Sequence, residues 1–149
     1  MKQEETIKKM IATYLRTQYP KIIFRFDIGA DIKLPVGLAI KSKRIHQHHR
    51  GYPDLFIAKK INSVGGLYLE IKTDENQVYK KKGGFLKKPH IQEQNEMLKR
   101  LNESGYIALY GFGFDDAKNK IDLYLSGNLN NLLTDRMRLL IEIDNSEQM

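Results

Sequence analysis

The chain has 149 residues, 41% hydrophobic and 29% charged, which is the composition of one ordinary globular domain. It contains no cysteine, which excludes disulfides, zinc-thiolate sites and cysteine nucleophiles. No apolar run approaches the ~20 residues of a membrane helix, and the opening MKQEETIKKM is too polar for a secretory signal. We therefore expect a single cytoplasmic domain over 1–149.

The net charge of +7 is concentrated in the middle of the chain. Residues 41–100 hold 14 Lys and Arg against 6 Asp and Glu, whereas the remaining residues hold 11 against 12. A local excess of this kind favours a polyanionic partner and steers it by long-range attraction. A solvated lysine surface is the alternative interpretation.

The first half of the chain predicts one helix and three strands. Apolar residues at helical spacing indicate an amphipathic helix over 3–18, and a strand over 21–28 follows it. The stretch 29–50 is ambiguous, and we expect a loop with a short apolar piece. Strands are predicted over 54–59 and 66–73, around a turn centred near Asn62.

The second half predicts a long helix, a strand and a further helix. A basic loop, KKKGGFLKKPH, leads to a helix that starts at Pro89 and stops before Gly105. A strand over 106–112 and a short helix over 114–127 follow, and the tail is apolar enough to be ordered, as helix or strand. The predicted order is αβββαβα, an α/β fold in which helices pack on a small sheet.

The hairpin over 54–73 carries unusual charges. With its turn near Asn62, Asp54 lies opposite Glu70, and facing residues have Cβ atoms roughly 4.5–5.5 Å apart. Strand side chains alternate, so Lys72 shares a face with Glu70. The apolar runs around these residues indicate a buried sheet, although a surface ion pair beside an Asp that merely begins a strand is the alternative.

Two close carboxylates repel each other unless a cation lies between them. Mg²⁺ is commonly held by one or two carboxylates together with water and substrate phosphate. The ion can polarise a phosphoryl oxygen and generate a nucleophile from bound water. Lys72 would orient that water or stabilise the charge that develops on the phosphate. The residues therefore predict phosphodiester hydrolysis.

The chain resembles the PD-(D/E)xK nuclease superfamily, and more narrowly the stand-alone VRR-NUC domain of phage and bacteria. The resemblance rests on Pro53-Asp54 in GYPDL and Glu70-Ile71-Lys72 in LYLEIKT. A glutamate-bearing first helix and a later helix with glutamine, leucine and glycine complete the pattern. It covers about 3–125, so 126–149 would be a C-terminal extension. It implies a restriction-endonuclease-like core with a small mixed sheet flanked by helices.

The resemblance also implies roles for individual residues. Asp54 and Glu70 would bind the metal together with the carbonyl of Ile71, and Lys72 would be the catalytic lysine. Glu4 would reach the metal directly or through water, with Glu5 as the alternative. Gln94, on the long helix, would lie beside the site and is the last of the predicted catalytic residues.

Basic residues outside the hairpin are expected to contact DNA phosphates, which supply affinity without sequence preference. The histidine-rich segment departs from the family pattern, and His46 and His48 could instead be metal ligands. The predicted DNA-contacting residues are Lys41, Lys43, Arg44, His48, Arg50, Lys80, Lys81, Lys82, Lys87 and Lys88.

The resemblance implies a Mg²⁺-dependent, structure-specific DNA endonuclease of a bacterial or phage-infected cell, with Mn²⁺ as a substitute metal. Stand-alone domains of this kind resemble Holliday-junction resolvases, which act as homodimers because a four-way junction presents two equivalent strands. A flap or single-strand endonuclease and a catalytically inactive DNA-binding module are the alternatives.

Overall fold

A four-stranded mixed sheet forms the centre of the computed structural model, which describes residues 2–27, 35–45 and 50–148. The strands are β1 (Phe24–Phe26), β2 (Leu55–Ile57), β3 (Leu67–Lys72) and β4 (Ile107–Phe112). They lie in chain order across the sheet. The first three are antiparallel, and β4 runs parallel to β3. A parallel pair needs a crossover connection, which the helix between β3 and β4 supplies.

Within the same ranges the chain forms five α-helices and one short 3-10 turn. They are α1 (Lys2–Gln18), α2 (Val36–Ile45), the 3-10 turn (Glu75–Gln77), α3 (Pro89–Glu103), α4 (Gly113–Leu125) and α5 (Asn130–Glu147). The predicted α/β order is confirmed, with α2 inserted between β1 and β2 and α5 added at the end. The small mixed sheet flanked by helices is also confirmed.

Helices cover both faces of the sheet. The buried hydroxyl of Tyr110 donates to Asn95 of α3 at 2.6 Å, whereas a Cβ at the next residue, Gly111, would lie 3.2 Å from the Cβ of Ala117 in α4. Because neighbouring strand residues point to opposite faces, α3 and α4 lie on opposite sides of the sheet. Helix α1 packs with α4, and α5 packs with α3.

The C-terminal tail is a helix that belongs to the core. Leu132, Leu139 and Ile143 of α5 are buried and join the same hydrophobic cluster as the central strands. They are spaced by seven and then four residues, which places all three on one face of the helix.

Two predicted elements differ from those observed. The ambiguous stretch contains α2, none of whose residues is buried. A helix without a buried stripe leaves no hydrophobic period in the sequence, which is why this stretch was predicted as a loop. Of the predicted strand over 21–28, the described residues form β1 over Phe24–Phe26, which pair with β2, and Ile28 lies outside the described residues.

No helix in the described ranges combines the length and the apolar character that a membrane span requires.

Candidate active site

The β2–β3 hairpin has the predicted register. Leu55 faces Leu69, so Asp54, immediately before β2, continues the ladder opposite Glu70. The turn contains Asn62 with a φ of 52°, a left-handed conformation that asparagine tolerates better than most residues. The sequence therefore places the two carboxylates at the same end of the sheet, where β3 ends and β2 begins.

Asp54 is held by the backbone of the opposite strand. Its Oδ2 accepts a hydrogen bond from the amide of Ile71 at 2.8 Å, and its side chain is 13% exposed. A carboxylate fixed by a strand amide has little freedom to turn away, so Asp54 is positioned before any ligand arrives.

Proline explains why the Ile71 carbonyl is a credible metal ligand. The carbonyl of Asp54 accepts a hydrogen bond from the amide of Asp27, so the backbone polar groups of Asp54 face β1. Those of the preceding residue, Pro53, point to the other side of the strand and therefore face β3. The register pairs Pro53 with Ile71, but proline has no N–H to donate to the Ile71 carbonyl. The Pro-Asp pair therefore withholds a ladder donor from this carbonyl and places a carboxylate next to it.

Glu70 is the most buried acid of the pair, with 5% of the residue exposed. Its Oε2 lies 3.3 Å from Nε2 of Gln94 and 3.8 Å from Nζ of Lys72. Burial raises the pKa of Glu70 well above its usual range; the nearby Asp54 carboxylate raises it further, and Lys72 and Lys8 act in the opposite direction. The pair resists carrying two negative charges, which is the electrostatic condition that a divalent cation relieves.

Lys72 is the final residue of β3 and is also buried, with 6% exposed. Directly after it, the amide of Thr73 donates to Oε1 of Gln77 at 2.7 Å, which fixes the chain where it leaves the strand. The ammonium therefore lies beside Glu70 at a constrained point of the backbone, as the hairpin pattern predicts.

Lys8 of α1 is a member of the site that the sequence interpretation missed. Its Nζ lies 3.0 Å from Oδ1 of Asp54, and its side chain is only 16% exposed. Lys8 stands three and seven residues before the fully buried Ile11 and Leu15, so it continues the buried stripe of α1. The position of Lys8 on this buried stripe is the feature of the sequence that indicates a place in the site.

Glu4 lies one turn before Lys8 on the same helix and is partly buried. Among the described residues, no group of three or more His, Cys, Asp or Glu side chains is arranged to hold a metal ion, so Glu4 does not form such a group with Asp54 and Glu70. Its assignment as a ligand, directly or through water, stays a prediction.

Gln94 reaches the site because α3 approaches the chain before β2 very closely. A Cβ on Gly51, whose φ is 78°, would lie 2.6 Å from the carbonyl carbon of Glu93 and 2.7 Å from the amide of Gln94. Only glycine permits this approach at this backbone angle. The glycine of GYPDL therefore sets the distance between α3 and the hairpin.

The predicted DNA-contacting residues fall into two groups. Helix α2 carries Lys41, Lys43 and Arg44, all exposed, whereas Arg50 lies 3.6 Å from Glu93 in an exposed ion pair. His48 and the alternative metal ligand His46 lie outside the described residues. The second group is exposed on the loop that follows the 3-10 turn: Lys80, Lys81, Lys82, Lys87 and Lys88.

That loop forms a short finger, defined here as 79–85. Its base is a bridge between Tyr79 and Phe85, whose rings stack with centroids 5.1 Å apart. At its tip the amide of Lys80 donates to the carbonyl of Gly84 at 2.9 Å. The Tyr79 hydroxyl also lies 3.4 Å from a carboxylate oxygen of Glu142 in α5, so the C-terminal helix supports the finger.

A cleft of about 480 Å³ lies between α1 and the chain that leaves β3. It is lined by Gln3, Thr6, Ile7, Thr73 and Asp74. The cleft is wide open to solvent; the residues directly after Lys72 form one wall, but Asp54, Glu70 and Lys72 do not line it.

The donor set fits a hard divalent cation. Asp54 and Glu70 supply carboxylate oxygens, and Ile71 supplies a carbonyl oxygen, the atom types that Mg²⁺ prefers. Oε1 of Gln94 is buried without a hydrogen-bond partner in the described chain, although its Nε2 contacts Glu70. Because Mg²⁺ is often bound by one or two carboxylates plus water, this set is sufficient.

The sheet order, the crossover helix and the charged strand ends together define a restriction-endonuclease-like fold. No protein-family model and no curated protein matches the sequence. The structure is similar to the solved structure of a "VRR_NUC domain protein", with a TM-score of 0.57 and 24% sequence identity. The match covers 83% of this chain and 88% of that one. The chain therefore has the fold of that VRR_NUC domain protein.

Proposed function

We propose that the chain is a Mg²⁺-dependent DNA endonuclease of the VRR-NUC family, with its active site at Asp54, Glu70 and Lys72. The observation that carries the proposal is a pair of carboxylates, one buried and one largely buried, each with a lysine ammonium within 4 Å. Burying charge is costly, and one acid with one base would satisfy a purely structural ion pair. Two structural ion pairs would be more stable apart, because adjacent carboxylates repel each other, so their convergence beside the Ile71 carbonyl is explained by a cation that the two acids hold together.

Each side chain of the site has a separate proposed role in hydrolysis. Asp54 and Glu70 would hold the ion, with the Ile71 carbonyl as a further ligand and Mn²⁺ as a substitute. When bound, Mg²⁺ polarises a phosphoryl oxygen and lowers the pKa of a coordinated water. Lys72 orients the attacking water or stabilises the charge on the phosphate, and Gln94 orients Glu70 through its amide. Glu4 of α1 would bind the same ion, directly or through water.

The proposed substrate is branched DNA, with a Holliday junction as the leading case. The basic α2 and the finger would contact phosphates, which supplies affinity without base recognition. A resolvase has to cut two equivalent strands, so the proposal includes a homodimer with one site per strand. Sedimentation of the protein alone and with a junction would report the dimer.

A cleavage assay on labelled DNA tests the proposal. Four-way junction, flap, single-stranded and linear duplex DNA are compared in Mg²⁺, in Mn²⁺ and with EDTA. We expect paired, symmetric nicks in the junction that EDTA abolishes. Cutting of flaps or single strands would assign the same site to the alternative endonuclease, and absence of cutting with intact binding would indicate an inactive DNA-binding module.

Neutralising the tip of the finger should weaken binding to every DNA by a similar factor. Changing Lys80, Lys81 and Lys82 to Gln removes up to three ammonium groups from the phosphates. The slope of log affinity against log salt should therefore become shallower by about 0.9 for each lysine that neutralises a phosphate. The measurement is fluorescence anisotropy on junction and duplex DNA at several salt concentrations.

A matched triple variant separates this effect from a change in net charge. Three other exposed lysines lie at the opposite end of the sheet from Asp54 and Glu70: Lys21, Lys59 and Lys60. Changing these three to Gln should leave the salt slope close to that of the wild type. Equal slopes in both triple variants would remove the finger from the DNA interface.

A further inference from the structure

Lys8 engages the oxygen of Asp54 that does not accept the hydrogen bond from Ile71. The amide of Ile71 already takes Oδ2 of this carboxylate at 2.8 Å, and Nζ of Lys8 takes Oδ1 at 3.0 Å. The first contact is part of the sheet, whereas the second comes from a side chain. A cation bound at Oδ1 would therefore compete with Lys8 for this oxygen.

The two lysines of the site differ in how they are held. Lys72 stands in β3 with all six residues of the strand buried, and its ammonium is 3.8 Å from Glu70. Lys8 stands on α1, whose Ile11 and Leu15 anchor the helix, and it reaches Asp54 by its long flexible side chain. A change of its side-chain rotamers would separate the Lys8 ammonium from Asp54 without a movement of the α1 backbone.

We propose that Lys8 is a displaceable counter-ion of Asp54: it neutralises the carboxylate in the metal-free protein and is replaced there by the divalent cation. The inference rests on the proposed function, because it assumes that Asp54 is a metal ligand. It adds a role for α1, which sets the metal affinity through one side chain. The site in the metal-free state holds two acids and two ammonium groups, so an incoming divalent ion enters a region that is already neutralised.

The direct test is Mn²⁺ binding by calorimetry in the absence of DNA. Removing a positive charge at ion-pair distance from a ligand should tighten Mn²⁺ binding by about tenfold or more in Lys8→Met. Lys9→Met is the matched control, because Lys9 is exposed on the same helix, and its affinity should stay within about twofold of the wild type.

Thermal unfolding supplies a second readout that does not depend on activity. In EDTA, Lys8→Met should melt below the wild type and Lys9→Met, because Asp54 loses its counter-ion in a site that is largely buried. Mn²⁺ should then raise the melting temperature of Lys8→Met more than that of the wild type. Lys8→Gln keeps an amide donor for Asp54 while removing the charge, so it provides the same test if the Met variant folds poorly.

The outcomes separate this inference from the proposed function. If the wild type binds Mn²⁺ and cuts DNA while both Lys8 variants bind Mn²⁺ no more tightly than it does, the counter-ion role is overturned and the nuclease stands. If the wild type neither binds Mn²⁺ nor cuts, both are overturned. Tighter binding in both variants, with Lys9→Met unchanged, supports the role.

Discussion

Glu70→Gln should reduce Mg²⁺-dependent cleavage by about 1,000-fold, because a metal supplies several kcal/mol of transition-state stabilisation and each 1.36 kcal/mol is a factor of ten. Glutamine keeps the shape of the side chain and can still contact Gln94 and Lys72. The neutral amide is a much weaker ligand, however, and it leaves Asp54 as the remaining carboxylate. The loss should therefore fall on the chemical step.

DNA binding should be retained by Glu70→Gln, since the proposed phosphate contacts lie on α2 and on the finger. The measurement is a single-turnover cleavage rate together with anisotropy on the same junction. Glu96→Gln is the matched control, because it makes the same change at an exposed position of α3. A Glu70→Gln enzyme that cuts within tenfold of the wild type would show that Glu70 is not a metal ligand.

Gly51→Ala should be among the most destabilising single substitutions in the chain. Its Cβ would lie 2.6 Å from the carbonyl atoms of Glu93, and its φ of 78° disfavours any side chain. The conformational penalty is about 1 kcal/mol. Overpacking against backbone adds about 1–3 kcal/mol. At about 3 °C per kcal/mol for a chain of this size, the melting temperature should fall by roughly 6–12 °C.

The same substitution should also impair cleavage, because the clash pushes α3 and Gln94 away from Glu70. A displacement of about 1 Å can cost about 100-fold in rate. Gly127→Ala separates the two causes of strain: its φ is also 78°, yet nothing lies within 4 Å of the added Cβ, and the residue lies between α4 and α5, away from the finger and the hairpin. We expect it to lose only the conformational part and to keep normal cleavage. Equal effects at both glycines would argue against the close approach of α3.

Part of the site could be predicted because strand geometry is strongly constrained. One turn position, near Asn62, sets the register of the whole hairpin, and the period of two then places Glu70 and Lys72 on one face. The contact between Gln94 and Glu70 came instead from the resemblance. The same pattern could not show how the Gly51 backbone sets the distance to α3, because close approach between distant segments leaves no local signal.

Other features could not be predicted for identifiable physical reasons. Lys8 was missed because a lysine on a helix is usually solvated, and only the packing of α1 brings its ammonium to Asp54. Helix α2 was missed because its apolar residues, including Val36 and Ile45, face solvent instead of a core. The helical state of the tail depends on contacts with α3 and β4, which lie far away in the sequence.

The most direct test of the account is the position of Mn²⁺ in crystals of the protein, located by anomalous scattering. We predict a peak between the carboxylates of Asp54 and Glu70 and near the carbonyl of Ile71, with ligand distances of about 2.0–2.2 Å. The Lys8 ammonium should have left Oδ1 of Asp54 in the same crystals. A fully occupied Mn²⁺ at another place, or crystals in saturating Mn²⁺ with Lys8 still paired to Asp54 and no peak beside it, would contradict the account.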